Sequence, residues 1–320
     1  MIETAVRTTR LVSRPRPVLG ALKVTVLSGG PSAEREVSLG SGRAVAAALR
    51  SMGHDVELAD IGPADLSALD RPVDVIFIAL HGTFGEDGQL QRILEKRGLT
   101  FCGSDSAASA RAMDKVVAKR YFAEAGVPTP RCDVVRRSRI RDIAAAWRPP
   151  VVVKPVSQGS SIDCHVVGQG CELALRLHEL VDKYGSCLIE DYIDGPELTV
   201  GILGDRPLPV CEIRTPRAFY DYQAKYTDDR TQYLFEEIGL PAACLETVAA
   251  QSLAAHRALG CRDFSRVDWR VDARTNQPYC LEVNTIPGFT DHSLLPKAAA
   301  RAGLDFGELG QEIIRLALSR

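Results

Sequence analysis

The chain has 320 residues, 45% of them hydrophobic and 25% charged, which is enough apolar material for two or three ordinary domains. With 39 basic residues against 41 acidic ones, the net charge of −2 gives no global electrostatic case for nucleic acid or a membrane as partner. No apolar run approaches the ~20 residues needed to span a bilayer. Nine cysteines, scattered from Cys102 to Cys280 without a C-x-x-C, imply free thiols in a reducing, cytoplasmic setting.

Residues 1–20 carry four arginines and two prolines and no continuous apolar segment. They are predicted to be a disordered basic extension, not a secretory signal. "LKVTVLSGG" (22–30) then reads as a strand closed by a Gly-Gly turn. The next helix is expected to be capped near Ser41, to bury Ala44, Val45, Ala48 and Leu49, and to stop at Gly53. "HDVELADI" and "VDVIFIAL" are strands, "QLQRILEKRG" is a helix and "TFCG" a short strand. Such alternation predicts a parallel sheet covered by helices, with function in the loops beyond the strand ends. Two of those loops, "GGPSAEREVS" and "HGTFGEDG", are unusually polar. This unit covers 21–113.

A second unit, 114–196, opens on a helix with Asp114 as N-cap and Gly126 as its stop. Strands "PVVVKPV" and "HVVG" follow on either side of the loop "SQGSSIDC", then a helix over 172–183 and a strand "CLIEDYI". The third unit, 197–320, has strands "ELTVGILGD" and "LPVCEI", a polar stretch (214–235) and a helix over 246–259. It closes with two strands and a C-terminal helix.

Those two strands, "RVDWRVD" (266–272) and "PYCLEVN" (278–284), flank a five-residue turn. A symmetric closure sets Asp272 opposite Pro278, Asp268 opposite Glu282 and Arg266 opposite Asn284. Period-two alternation puts these last four side chains on one face, and Val267, Trp269, Val271, Leu281 and Val283 on the other. Two carboxylates across a ladder repel each other. The pattern allows neutralisation by Arg266, a solvated face, or a hard cation such as Mg2+ held by oxygen donors. "PVVVKPVSQGSS" ends an apolar run on Lys154 and a Gly-Ser-Ser turn, which suits phosphate binding but equally suits a lysine reaching solvent. Lys115 opens a helix, against the dipole, where an anion would compensate it.

In chain order, "GGPSAEREVSLGSG", "ALHGTFGEDGQLQ", "CGSDSAASARAMDK", "VVVKPVSQGSS", "LIEDYIDGPELTV", "FYDYQAKYTDDRTQY", "SRVDWRVD" and "LEVNTIPGFTDHSLLPKAA" resemble the motifs of D-alanine–D-alanine ligases, of the ATP-grasp superfamily. The likeness runs from Leu22 to the C-terminus. It implies an α/β (α+β), three-domain ATP-grasp chain: an N-terminal parallel-sheet domain and two domains that grip ATP. The implied reaction joins two D-alanines through an acyl phosphate, for peptidoglycan precursors. Alternative activities within the fold are D-alanine–D-lactate or D-alanine–D-serine ligation, or a catalytically silent nucleotide-binding protein. The Lys225–Tyr226 pair resembles the dipeptide-forming type.

The resemblance also assigns residues. Asp268, Glu282 and Asn284 would hold two Mg2+ ions, or Mn2+ in their place. Lys115, Lys154, Ser161 and Lys225 would meet the ATP phosphates, Glu190 the adenine amine, Glu197 the ribose, and the backbone at Tyr192 and Ile193 the base. Glu34 would receive the first ammonium, networked with Ser160 and Tyr226. Arg266 and the Gly288 N–H would stabilise the oxyanion. Ser293 and the Leu294 N–H would bind the second carboxylate, with His81 nearby. A homodimer is expected, and no nucleic-acid or membrane partner. One departure stands out. Asp163 sits where the family commonly has glycine, bringing a Cβ and a negative charge to a phosphate loop. That should weaken nucleotide binding unless the side chain turns outward or serves as a local cap. Asp163→Gly is therefore expected to lower KM for ATP.

Overall fold

The structure, a computed structural model, describes residues 19–216, 230–290 and 292–320. β1 (Lys23–Gly29), β2 (Asp55–Ile61) and β3 (Val75–Ile78) form a parallel sheet in the order β2-β1-β3. "TFCG" adds only a single bridge, Phe101 to Ile76. Helices α1 (Arg35–Ser51) and α2 (Gln89–Lys96) belong to this unit. Gly53, at φ 89°, does stop α1, but the helix starts at Arg35 and Ser41 lies inside it. Its early turns press polar and small residues against the sheet, so hydrophobic periodicity is silent there. Ser38 Oγ donates to the Ala79 carbonyl at 2.8 Å, and a Cβ on Gly42 would come within 2.5 Å of the Ser28 Cβ.

Helices α3 (Ser106–Met113) and α4 (Lys115–Glu124) lead into a second, antiparallel sheet. Its strands are β4 (Cys132–Arg136), β5 (Val151–Pro155), β6 (His165–Val167) and β7 (Ser186–Asp191), in the order β4-β7-β5-β6. Asp114 caps α4 as expected, accepting the Val116 and Val117 N–H groups at 2.9 and 3.0 Å. Helices α5 (Ile140–Ala146) and α6 (Gly170–Tyr184) cover this sheet, and Leu177, Leu180 and Val181 of α6 share a core with Val151 and Val153.

The third sheet is also antiparallel. It contains β8 (Glu197–Leu203), β9 (Arg206–Pro207), β10 (Cys211–Arg214), β11 (Gln232–Leu234), β12 (Phe264–Val271) and β13 (Pro278–Asn284). Their order is β11-β10-β8-β12-β13, with β9 paired to β8. Helix α7 (Ala242–Ala258) packs behind it, where Ser252 Oγ accepts the buried Trp269 indole N–H at 2.8 Å. Two helices follow β13 where one was expected, α8 (Leu294–Arg301) and α9 (Phe306–Leu318). Leu295, Leu309 and Ile313 join Val24, Val26 and Phe77 in one core, so the C-terminal helices cover the first sheet.

His256 of α7 is buried, with Nδ1 2.7 Å from Ser265 Oγ, and burial lowers its pKa to about 4. The unfolded chain takes up this proton near pH 6.5, the folded chain only near 4. Stability is therefore full above the unfolded value and falls as pH drops towards the folded one. The expected loss from this group is about 2 kcal/mol between pH 7.5 and 5. Urea unfolding at the two pH values should show that loss in the parent and a smaller one in His256→Asn.

Candidate active site

β12 and β13 bring the predicted quartet together in the predicted register: Arg266 faces Asn284 and Asp268 faces Glu282. Nearer the turn the pairing shifts, with Val271 rather than Asp272 opposite Pro278, because a bulge interrupts the ladder beside Asp268. The bulge changes the sides. Cys280 enters the core with Val267, Trp269 and Val283, whereas Leu281, expected there, lines the polar cavity beside Glu282.

Asp268 is the hub of the face. The Arg266 guanidinium grips it with two bonds, at 2.9 and 2.7 Å, and the Asn284 amide N–H donates at 2.9 Å. The Thr199 hydroxyl donates at 2.7 Å from the adjacent strand β8, where it lies opposite Asp268 in register. Glu282, across the ladder, pairs instead with Lys115 Nζ at 3.3 Å. That carboxylate is the compensating anion for a lysine at a helix N-terminus. Lys115 also donates to the Gln158 carbonyl at 2.7 Å, tying α4 to the loop after β5.

Lys154 does not reach solvent. It is buried on β5 and pairs with Glu190 of β7 at 3.0 Å. The other Glu190 oxygen, Oε1, lies 3.1 Å from Lys119 Nζ without the alignment of a hydrogen bond. Burial alone would raise the Glu190 pKa, but the Lys154 and Lys119 charges outweigh it and hold the carboxyl below its usual range. Burial, reinforced by repulsion from Lys154, lowers that of Lys119. Lys119 was not anticipated. It lies four residues after Lys115 on α4, a spacing that puts both on one face. Glu197 heads β8, pairs with Arg270 at 3.2 Å and lines the cavity that contains Lys154, Ser161 and Asp268. Tyr192 and Ile193 follow β7, half-buried, and are not among the residues lining that cavity.

A larger cavity of about 450 Å³ adjoins this face, lined by Glu34, His81, Ser160, Arg266, Gly288, Ser293 and Leu294 among others. Glu34 is the N-cap residue of α1 and accepts the Ser160 hydroxyl. Gly82, at φ 70°, lets the backbone pass close by: a Cβ there would lie 2.9 Å from Glu34 Oε2. His81 is clamped between Ser41 Oγ (3.1 Å) and the Ile286 carbonyl (3.0 Å). Burial disfavours its charged form, but the carboxylates of Glu86, 3.9 Å away, and Glu34 outweigh burial and raise its pKa. Ser293 is the N-cap residue of α8, Leu294 its first residue, and Ser293 Oγ accepts the Thr290 N–H at 3.0 Å. A third, small cavity shares Lys115 and Glu282 with the lysine-lined one, and Asn284 and Glu86 with the larger one.

Asp163 is found turned away from the site. It is bonded to Lys183 Nζ at 2.7 Å and to the Tyr184 hydroxyl, and these bonds lower its pKa. The charge does not crowd the phosphate loop, which removes the premise for a fall in KM on Asp163→Gly. Lys225 and Tyr226 lie outside the described residues. Among the described residues, no three His, Cys, Asp or Glu side chains form a metal cluster. The predicted metal set differs in kind, being two carboxylates and an amide.

Two family models match the chain: the D-ala D-ala ligase N-terminus over residues 59–104 and the D-ala D-ala ligase C-terminus over 122–315. The D-alanine--D-alanine ligase of Desulforudis audaxviator is 43% identical over 307 residues, covering 93% of this chain and 99% of the relative. The crystal structure of the D-alanine--D-alanine ligase from Bacillus anthracis is similar at a TM-score of 0.82 and 35% identity, covering 93% of this chain and 98% of that one. The VanG D-Ala:D-Ser ligase from Enterococcus faecalis is similar at a TM-score of 0.81 and 28% identity, covering 93% and 100%. By sequence, fold and the residues gathered at β12 and β13, the chain belongs to the D-alanine–D-alanine ligase family.

Proposed function

We infer that this protein is an ATP-dependent D-alanine–D-alanine ligase, acting in peptidoglycan precursor synthesis in the cytoplasm. The observation that carries this reading is the strip formed by Lys115, Glu282 and Asn284. It joins a lysine-lined cavity, suited to phosphates, to a larger one suited to amino acids. The presence of three separate sheets supports the three-domain reading of an ATP-grasp chain. All nine cysteines are free thiols, and among the described residues no helix is long and apolar enough to cross a membrane. A homodimer remains part of the reading.

The residues divide the work between the two cavities. Lys115 and Lys154 meet the ATP phosphates with Lys225, Ser161 and the loop backbone beside them. The underused Glu190 Oε1 accepts the adenine amine, Glu197 takes the ribose, and the backbone at Tyr192 and Ile193 lines the base. Asp268, Glu282 and Asn284 fit two hard divalent cations, Mg2+ or Mn2+. Asn284 gives its N–H to Asp268, which leaves the amide oxygen as ligand atom. Held by these residues, such cations would supply neutralisation of the charge on the ATP phosphates.

The γ-phosphoryl group of ATP passes to the carboxylate of the first D-alanine, giving an acyl phosphate and leaving ADP. The neutral amine of the second attacks that carbon, inorganic phosphate leaves, and the nitrogen releases a proton as the amide forms. Glu34, held by Ser160 and joined by Tyr226, receives the first ammonium. Ser293 and the Leu294 N–H, at the start of α8, hold the second carboxylate, where the helix dipole favours an anion. His81 stands at the wall of this cavity. Arg266 and the Gly288 N–H flank the carbon where negative charge develops.

Product analysis by mass spectrometry tests the reading directly. Purified protein with ATP, Mg2+, D-alanine and competing D-lactate or D-serine should yield D-alanyl-D-alanine and one phosphate per bond. A mixed D-alanyl product would reassign the second substrate, towards the D-serine specificity that VanG's name carries. No product would overturn the enzyme reading in favour of a silent nucleotide-binding protein.

A further inference from the structure

The loop between β5 and β6 carries Ser160 and Ser161 into the site in a demanding conformation. Ser160, Ser161 and Asp163 have φ of 52°, 56° and 54°. Residues with a side chain persist in this left-handed region only where their surroundings enforce it. Inside the loop, Gly159 O accepts the Ile162 N–H at 3.1 Å and Ser161 O accepts the Cys164 N–H at 3.3 Å. On the site side, Ser160 reaches Glu34. On the far side Asp163 accepts from Lys183 and Tyr184, in the last turn of α6. That helix is anchored by Leu177, Leu180 and Val181 in the core of the second sheet. The ammonium of Lys183 also lies over the Tyr184 ring, 5.2 Å from its centroid.

We propose that Asp163, Tyr184 and Lys183 form a latch that pre-orders the serine loop for the phosphates of ATP. Asp163 is then a positioning residue, acting through the loop backbone and Ser161. The proposal rests on the reading that this loop grips the nucleotide. A carboxylate in a phosphate loop should repel its ligand, and this one is neutralised and drawn outward onto a rigid helix. The partners are unequal. The Lys183 side chain is 60% exposed and that of Asp163 28%, so solvent screens their charge pair. The phenol of Tyr184 is partly buried against the core and gives the latch its direction.

MgADP affinity by calorimetry, steady-state kinetics and amide hydrogen exchange test this on the full chain. Asp163→Gly and Tyr184→Phe should each weaken MgADP binding and raise KM for ATP by about five- to tenfold, through lost preorganisation. Lys183→Met should change both by only about twofold, because its charge is screened. At saturating ATP, kcat should stay within about twofold of the parent, separating loop ordering from chemistry. Amides of residues 159–164 should exchange faster in the two stronger variants. Glycine suits a φ of 54° better than any other residue, so a purely conformational account gives the opposite sign. Asp163→Gly that binds MgADP as tightly as the parent, or more tightly, overturns the latch. A parent protein that binds no MgADP overturns the assignment of the loop instead.

Discussion

Glu282→Gln is expected to lower kcat by about a thousand-fold or more, equivalent to ~4 kcal/mol in the barrier, while the protein stays folded. The side chain is 23% exposed on the site face of β13, directly opposite Asp268. Glutamine keeps its shape and removes its charge. Locally the change loses a pair with Lys115 and relieves a repulsion with Asp268, so the two stability effects oppose each other. Both partners are largely buried, so the net loss should be about 1–3 kcal/mol. It stays below the full cost of a buried pair because Lys115 keeps the Gln158 carbonyl. Phosphoryl transfer, by contrast, depends on charge placement more than on covalent help, and this position pairs with Lys115 and, in the proposed site, would also hold a cation. Thermal unfolding with single-turnover ADP formation separates the two effects. Near-normal turnover in a folded variant would remove Glu282 from the machinery.

How legible this site was follows from the kind of pattern each part leaves. The pairings Arg266–Asn284 and Asp268–Glu282 could be read because polar residues alternate with Val267, Trp269 and Val283, and a one-residue slip would bury charges. The bulge that admits Leu281 left no such trace, since Cys280 and Leu281 are both apolar and either could have faced the core. The early turns of α1 were invisible for the converse reason: they pack through Ser38, Ser41 and Gly42, which no hydrophobic period reports. β4 and α5 were missed in an arginine-rich stretch, 131–148, where only Val135, Ile140, Ile143 and Trp147 mark the buried side. Motif order pointed to Lys115 and Lys154 but could not show their partners, which come from other strands and loops. Thr199 and Lys119 belong to that class: each is an ordinary residue of its element until the fold sets it against Asp268 or Glu190.

The second large effect is on stability. Glu190→Gln should destabilise the fold by about 3–5 kcal/mol, the usual cost of removing one member of a buried ionic group. Glu190 is 1% exposed and sits between two buried ammonium groups, at 3.0 Å from Lys154 and 3.1 Å from Lys119. A glutamine there would leave two like charges facing each other in the interior. Lys119 also donates to the Pro130 carbonyl at 3.3 Å and to Thr129, so it cannot swing to water without breaking those bonds. The loss should therefore be strongly non-additive. Adding Lys119→Met to Glu190→Gln removes one of the stranded cations and should recover about half the lost stability. In the proposed nucleotide site, ATP should also raise the melting temperature of Glu190→Gln, because phosphates beside Lys154 would supply the anion it has lost. Urea titrations of the parent, both single variants and the double variant give the coupling directly. A double variant no more stable than Glu190→Gln alone would show that Lys119 contributes packing to this site and no charge.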